Sequence, residues 1–255
     1  MLKSGLVSIT FRQLSPEKII ELVAQAGLEG IEWGGDIHVP HGDIAQAQRV
    51  QRMTADAGLA VAAYGSYYRV GHPEDGPFEA VLECATMLGA PVIRVWAGKM
   101  GSDVADQGYF DSVVDDSVDI ANQAAQAGIA IAYEFHGNTL TDTNDGTCEL
   151  LARVDHTNIG TYWQPPRDRS VQNNQIGIQM LRPWLHHIHV FSWQPGSGKR
   201  LPLVALETEW HSYLQTLDDG DDLLDTEHYA LLEFVVGDEP QNFLSDAKML
   251  KKWLK

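Results

Sequence analysis

The chain has 255 residues, 44% hydrophobic and 21% charged, which suffices for a sizeable core without staples and excludes a disordered chain. Lys and Arg number 18 against 35 Asp and Glu, and the net charge of −17 excludes a broad phosphate-backbone interface, hence a nucleic-acid partner. Two cysteines make no secreted disulfide framework, Met1 to Ser8 lacks the apolar run of a signal peptide, and no apolar stretch nears the ~20 residues of a bilayer span. The expectation is a cytoplasmic protein without a membrane partner.

Short apolar runs alternate with longer amphipathic ones. Gly5 to Phe11 reads as a strand. Ser15-Pro16-Glu17 opens a helix, with Ser as N-cap, Pro in the first turn and an acid at the positive helix end; Gly27 stops it. The unit then recurs: strand Gly30–Trp33 and helix Asp43–Ala57; strand Leu59–Tyr64 and helix Pro77–Leu88; strand Pro91–Trp96 and helix Tyr109–Ala127. Next come strand Ile129–Phe135 and helix Thr147–Val154, strand Ile159–Trp163 and helix Ile176–Trp184, strand His187–Phe191 and helix Glu207–Leu217, strand Tyr229–Val235 and helix Asn242–Leu254. About eight such units in this length predict an α/β fold, a (β/α)8 TIM barrel forming one domain over residues 1–255. An open doubly wound sheet is the rival, but it favours fewer strands with wholly apolar centres. The acidic run Asp218 to Asp225 reads as a solvated loop without calcium-loop spacing.

Several strands carry a polar residue near the C-terminal end, where barrels place their chemistry: Glu32, Glu134, Gln164, His189 and Glu233. In Ile129 to His136 the large apolar residues take the odd positions, so Glu134 and His136 face the barrel interior or mouth. The same alternation puts Leu232, Phe234 and Val236 on one face, Glu233 on the other, and His189 with His187. Arg94 alternates with Ile93 and Val95 and reads as an internal partner of Glu32 or Glu134. Buried carboxylates need a cation, and two of them converging with a histidine suit a divalent metal; the bland alternative is a set of satisfied core polar groups.

The segments Gly30-Ile31-Glu32-Trp33-Gly34-Gly35-Asp36, Tyr133-Glu134-Phe135-His136, His187-Ile188-His189 and Leu232-Glu233-Phe234 make the chain resemble the xylose-isomerase-like TIM-barrel superfamily of sugar isomerases, epimerases and inosose dehydratases over nearly its whole length. The resemblance implies metal ligands Glu134, Gln164, His189 and Glu233 for Mn, Mg, Zn or Co. It implies a ketose or related polyol as substrate, with Glu134 and Glu233 as the catalytic pair passing a proton through an enediolate. One segment departs from the family at two positions: Gln164-Pro165-Pro166-Arg167 stands where Asp-x-x-His is usual, so Gln164 brings an oxygen without charge, and Arg167 could grip a carboxylate or phosphate.

His136, Arg167, Trp33, Trp96 and His38 are the candidate substrate contacts, with Trp163 and His41 behind them and ordinary packing as the alternative for the aromatics. Gly196-Ser197-Gly198-Lys199-Arg200 fails the phosphate-loop spacing, which leaves Lys199 or Arg200 as a lid cation. The leading reading is an isomerase or epimerase. The alternatives are an inosose-type dehydratase and a metal-free sugar-binding relative; a DNA-repair endonuclease of the same superfamily lacks its extra histidines here. Oligomeric state is open, a homo-oligomer included.

Overall fold

The computed structural model describes residues 2–166, 170–219 and 226–255. Strands β1 (Lys3–Val7), β2 (Gly30–Gly34), β3 (Ala60–Arg69), β4 (Val92–Trp96), β5 (Ala130–Tyr133), β6 (Ile159–Trp163), β7 (Leu185–Val190) and β8 (Tyr229–Leu232) pair in parallel, in chain order. The ring closes where β1 pairs β8, Leu6 opposite Leu232, which excludes the open sheet. Helices α1 (Pro16–Ala26), α2 (Ile44–Asp56), α3 (Phe78–Leu88), α4 (Gln107–Gln126), α5 (Asn144–Val154), α6 (Val171–Leu181), α7 (Glu207–Asp218) and α8 (Pro240–Trp253) follow their strands. The architecture is the (β/α)8 barrel. Among the described residues no helix is long and apolar enough to cross a membrane.

Strand alternation sorts the core into two layers. Leu6, Ile31, Trp33, Ile93, Ile131, Tyr133, Trp163, Ile188 and Leu232 point out to the helices. Val7, Ala62, Ala63, Val92, Ala132, Tyr162, Tyr229 and Leu231 fill the interior. The small alanines of β3 and β5 leave room for longer polar side chains above them.

Element ends differ from the sequence reading where side chains or turns take over. β1 stops at Val7 because Ser8–Phe11 form a tight turn, in which Ser8 Oγ accepts from the Gly34 N–H at 2.9 Å and Thr10 Oγ1 from the Phe234 N–H at 3.1 Å. Ser170 caps α6, accepting from the Asn173 N–H at 3.2 Å, so that helix starts five residues earlier than the apolar spacing suggests. Glu134 and Glu233 lie one position beyond their strands, yet their N–H groups still reach the Val95 and Val190 carbonyls at 2.9 and 3.0 Å. Those last ladder bonds fix both carboxylates at the barrel mouth.

Asp246 on α8 is buried and accepts from the Leu203 N–H at 2.9 Å. Burial pushes its carboxyl up to about 6 from 3.8, against the pull of that hydrogen bond. A carboxyl raised on folding stabilises fully below the unfolded value and loses that contribution as pH rises through the folded one. Asp246→Asn keeps the acceptor and removes the ionisation. It should match the parent at pH 4 and exceed it by about 1–2 kcal/mol at pH 8, read by urea melts at both pH values.

Candidate active site

A cavity of about 550 Å³ opens at the C-terminal end of the barrel. Its walls include Ile9, Arg12, Tyr67, Trp96, Glu134, His136, Gln164, Phe191, Trp193, Glu233 and Phe234. At its floor, Glu134, His189 and Glu233 each offer a ligand atom, and these atoms lie within 4.8 Å of one another. All three residues are buried.

Gln164 joins them. Its Nε2 donates to the Phe135 carbonyl at 2.6 Å, which turns Oε1 inward, 3.2 Å from His189 Nδ1. Glu233 Oε2 lies 3.5 Å from the same nitrogen. Two oxygen acceptors therefore face Nδ1, and a proton or a cation must lie among them.

Arg94 crosses the interior below. Its Nε donates to Glu32 Oε1 at 2.7 Å and its Nη1 to Glu134 Oε2, which also accepts from Trp96 Nε1 at 2.6 Å. Burial alone would draw the guanidinium's pKa down, but Glu134 and Glu32 raise it well above its ordinary value. Burial likewise favours a neutral Glu32, and Arg94 with His189 overrides it, holding the carboxyl at about 2. Glu233 goes the other way: burial pushes it up to about 7, opposed by His189 and reinforced by Glu134. The His189 pKa is raised, burial being outweighed by Glu233 and Glu32. With the three carboxylates ionised and His189 neutral, one guanidinium leaves two negative charges in a buried site.

That charge and an N/O donor set fit a hard or borderline divalent ion such as Mn, Mg, Zn or Co. Gln164 keeps the charge at two. Gln164→Asp would add a third negative charge beside the ion, offset by desolvation and by loss of the bond to Phe135. Mn2+ affinity should rise about tenfold, or 1–2 kcal/mol, in a direct titration. Unchanged affinity would remove Gln164 from the ligand set.

The sequence-predicted substrate contacts divide. Trp96 and His136 line the cavity, their rings stacked at 4.6 Å and 19°. His136 Nδ1 contacts the Gly137 carbonyl at 2.7 Å. Trp33 and His38 do not line it. Trp33 follows inward-facing Glu32, so alternation turns it out among the helices, and it is fully buried there. His38 is buried beside Trp33, its Nδ1 2.9 Å from Ser8 Oγ, and props the turn after β1. Trp163 packs on Trp210 and Tyr213, also outside the barrel. Arg200 does not line the cavity; it pairs with Asp238 and lies 4.6 Å from the centroid of the Phe234 ring. Arg167 lies outside the described residues, as does 220–225 of the acidic run.

Sequence reasoning missed Arg12, Tyr67, Phe191, Trp193 and Phe234. Alternation sends Phe234 outward, but its φ of +58° breaks the period and swings the ring into the cavity. Tyr67 at φ +59° and Asn138 at φ +59° line the same cavity, so three of the five non-glycine residues with positive φ sit there among the described residues. Arg12 reaches Asp36 and donates to the Tyr67 hydroxyl at 3.0 Å.

Comparison with known proteins agrees with this architecture. The chain is 28% identical over 266 residues to a 3-dehydroshikimate dehydratase of Bacillus anthracis, covering 91% of each. The crystal structure of a probable 3-DHS dehydratase involved in petrobactin synthesis, from the same organism, superposes with a TM-score of 0.80 at 24% identity over 98% of this chain and 99% of that one. A D-psicose 3-epimerase from Clostridium cellulolyticum H10 does so with 0.66 at 16% identity, over 99% and 95%. The model of the xylose isomerase-like TIM barrel matches residues 20–252, and the chain belongs to that family.

Proposed function

We propose that the chain is a divalent-metal-dependent dehydratase that removes a proton α to the ketone of a small hydroxylated ring and expels the β-hydroxyl. The observation that carries this is the inequality of the two glutamates. Glu134 has one oxygen clamped by Arg94 and Trp96. Glu233 faces the cavity with no such clamp among the described residues and a pKa pushed up to about 7. Epimerisation through two interchangeable carboxylates wants two free bases, whereas elimination needs one. The likeness to a 3-dehydroshikimate dehydratase over 91% of the chain supports the same choice.

A divalent ion held by Glu134, Gln164, His189 and Glu233 would supply Lewis acidity to the ketone oxygen. Glu233 takes the α-proton; the C–H pair becomes the new C=C bond as the β C–O bond breaks, and the proton leaves with the hydroxyl as water. His136, on the cavity wall, would hydrogen-bond a ring hydroxyl. Phe191, Trp193, Phe234, Tyr67 and Trp96 offer flat walls to a ring that becomes planar. Among the described wall residues Arg12 is the one Lys or Arg a substrate carboxylate can meet.

The test is 3-dehydroshikimate with Mn2+. Loss of one water followed by enolisation leaves a dihydroxybenzoate, visible by ultraviolet absorbance. Ketohexoses in D2O form the second arm: deuterium at the carbon beside the carbonyl, with no dehydration of the first substrate, would return the reaction to epimerisation.

A further inference from the structure

Glu32 lies below the cavity and takes no part in the proposed proton transfer, yet it is fully buried and carries a charge. One of its oxygens has an evident task, accepting from Arg94 Nε. The other, Oε2, lies 3.6 Å from His189 Nε2. Neither Oε2 nor Nε2 has a hydrogen-bond partner among the described residues. Tyr162 closes the space, its ring edge-on to His189 with centroids 5.2 Å apart.

A carboxylate oxygen only accepts. Oxygen acceptors face both ring nitrogens, Gln164 Oε1 and Glu233 Oε2 on the Nδ1 side and Glu32 Oε2 on the Nε2 side, and a neutral imidazole has one N–H to offer. A cation held among Nδ1, Gln164 Oε1 and Glu233 Oε2 would take the Nδ1 lone pair, and the N–H then falls to Nε2, facing Glu32. Sequence supports the placement: Glu32 and His189 fall on the inward faces of β2 and β7, and the bend of β2 against β3 between Ile31 and Glu32 brings Glu32 level with Ala63, whose methyl leaves the crossing open.

We infer that Glu32 is a positioning residue that holds His189 as the Nε2–H tautomer, with Nδ1 as the donor atom toward a cation. Arg94 completes the device. By bonding Glu32 and Glu134 together it ties the orientation of His189 to that of a second ligand candidate across the barrel. A buried ion pair is weak evidence for stability by itself, and here it has an orienting role instead.

Two measurements test this, and both rest on the metal reading. The first is the long-range 1H–15N correlation of His189 in 15N-histidine-labelled, Zn2+-loaded wild type at pH 8.5. The Nε2–H pattern is expected, and an Nδ1–H pattern overturns the inference. The second is Mn2+ titration of Glu32→Gln, whose amide can turn a donor toward Nε2. A 10- to 100-fold loss of affinity is expected. Wild-type affinity in that variant overturns the role of Glu32, since a purely structural residue would change stability without changing the tautomer. Wild type that takes up neither Zn2+ nor Mn2+ sinks the metal reading, and this inference with it.

Discussion

Glu233→Gln should cut turnover by 100-fold or more while leaving the barrel intact. The amide keeps the shape of the side chain, and the main chain there is pinned by the bond from the Glu233 N–H to the Val190 carbonyl at 3.0 Å. What goes is the group able to accept a proton. The variant should also be no less stable at pH 8. In the metal-free protein the carboxyl is raised to about 7 by burial, and its stabilising contribution is full below the unfolded value of 4.5 and lost as pH passes 7. An amide has no such loss. The check pairs kcat with a thermal melt: a dead enzyme with a parental or higher Tm is the expected result, and residual activity within fivefold of wild type would take Glu233 out of proton transfer.

Gly65→Ala should be among the most damaging single methyl groups in the chain. A Cβ at Gly65 would meet Arg94 Nη2 at 2.6 Å and Glu32 Oε1 at 2.7 Å. The backbone cannot retreat, since Gly65 sits in β3 opposite Arg94 of β4 and Gly34 of β2. The side chains must give instead, and splitting a buried pair leaves charge uncompensated, at about 3–5 kcal/mol. For a domain of this size that is a fall in Tm of roughly 6–15 °C. Metal uptake should fall with it, because Glu134 loses its bond to Arg94. A Tm within 2 °C of the parent would show that the pair relaxes freely around the methyl group.

How much of this was legible in the residues depends on the range of the interaction. Strand and helix alternation is local, and it delivered the barrel, the inward faces of Glu134, His189 and Glu233, and Arg94 as an internal partner; the structure gives Arg94 both candidates, Glu32 and Glu134. The same rule, applied strictly, turns Trp33 outward, and it is buried there among the helices. Phe234 and Tyr67 escaped for the opposite reason: a positive φ at a non-glycine position leaves no mark in hydrophobic period. Arg12 escaped because its partners, Asp36 and Tyr67, come from other strand ends, which only the closed ring brings together. The orientation of Gln164 rests on the carbonyl of Phe135, two positions beyond the end of β5, a neighbour that the sequence does not pair with it.

The left-handed backbone at Phe234 sets up a conflict between two kinds of selection. A side chain in that conformation costs about 1 kcal/mol or more that glycine or asparagine would avoid. Screening a library of variants for heat resistance alone should therefore enrich glycine or asparagine at this position, just after Glu233, the proposed base. The survivors would lose the ring that meets Trp193 at a centroid distance of 5.8 Å, and with it part of the wall that keeps water from the substrate. Improved thermal tolerance would arrive with a leaky pocket, so a stabilisation campaign on this barrel should hold Phe234 fixed and look to the helices, Asp246 among them, for its gains.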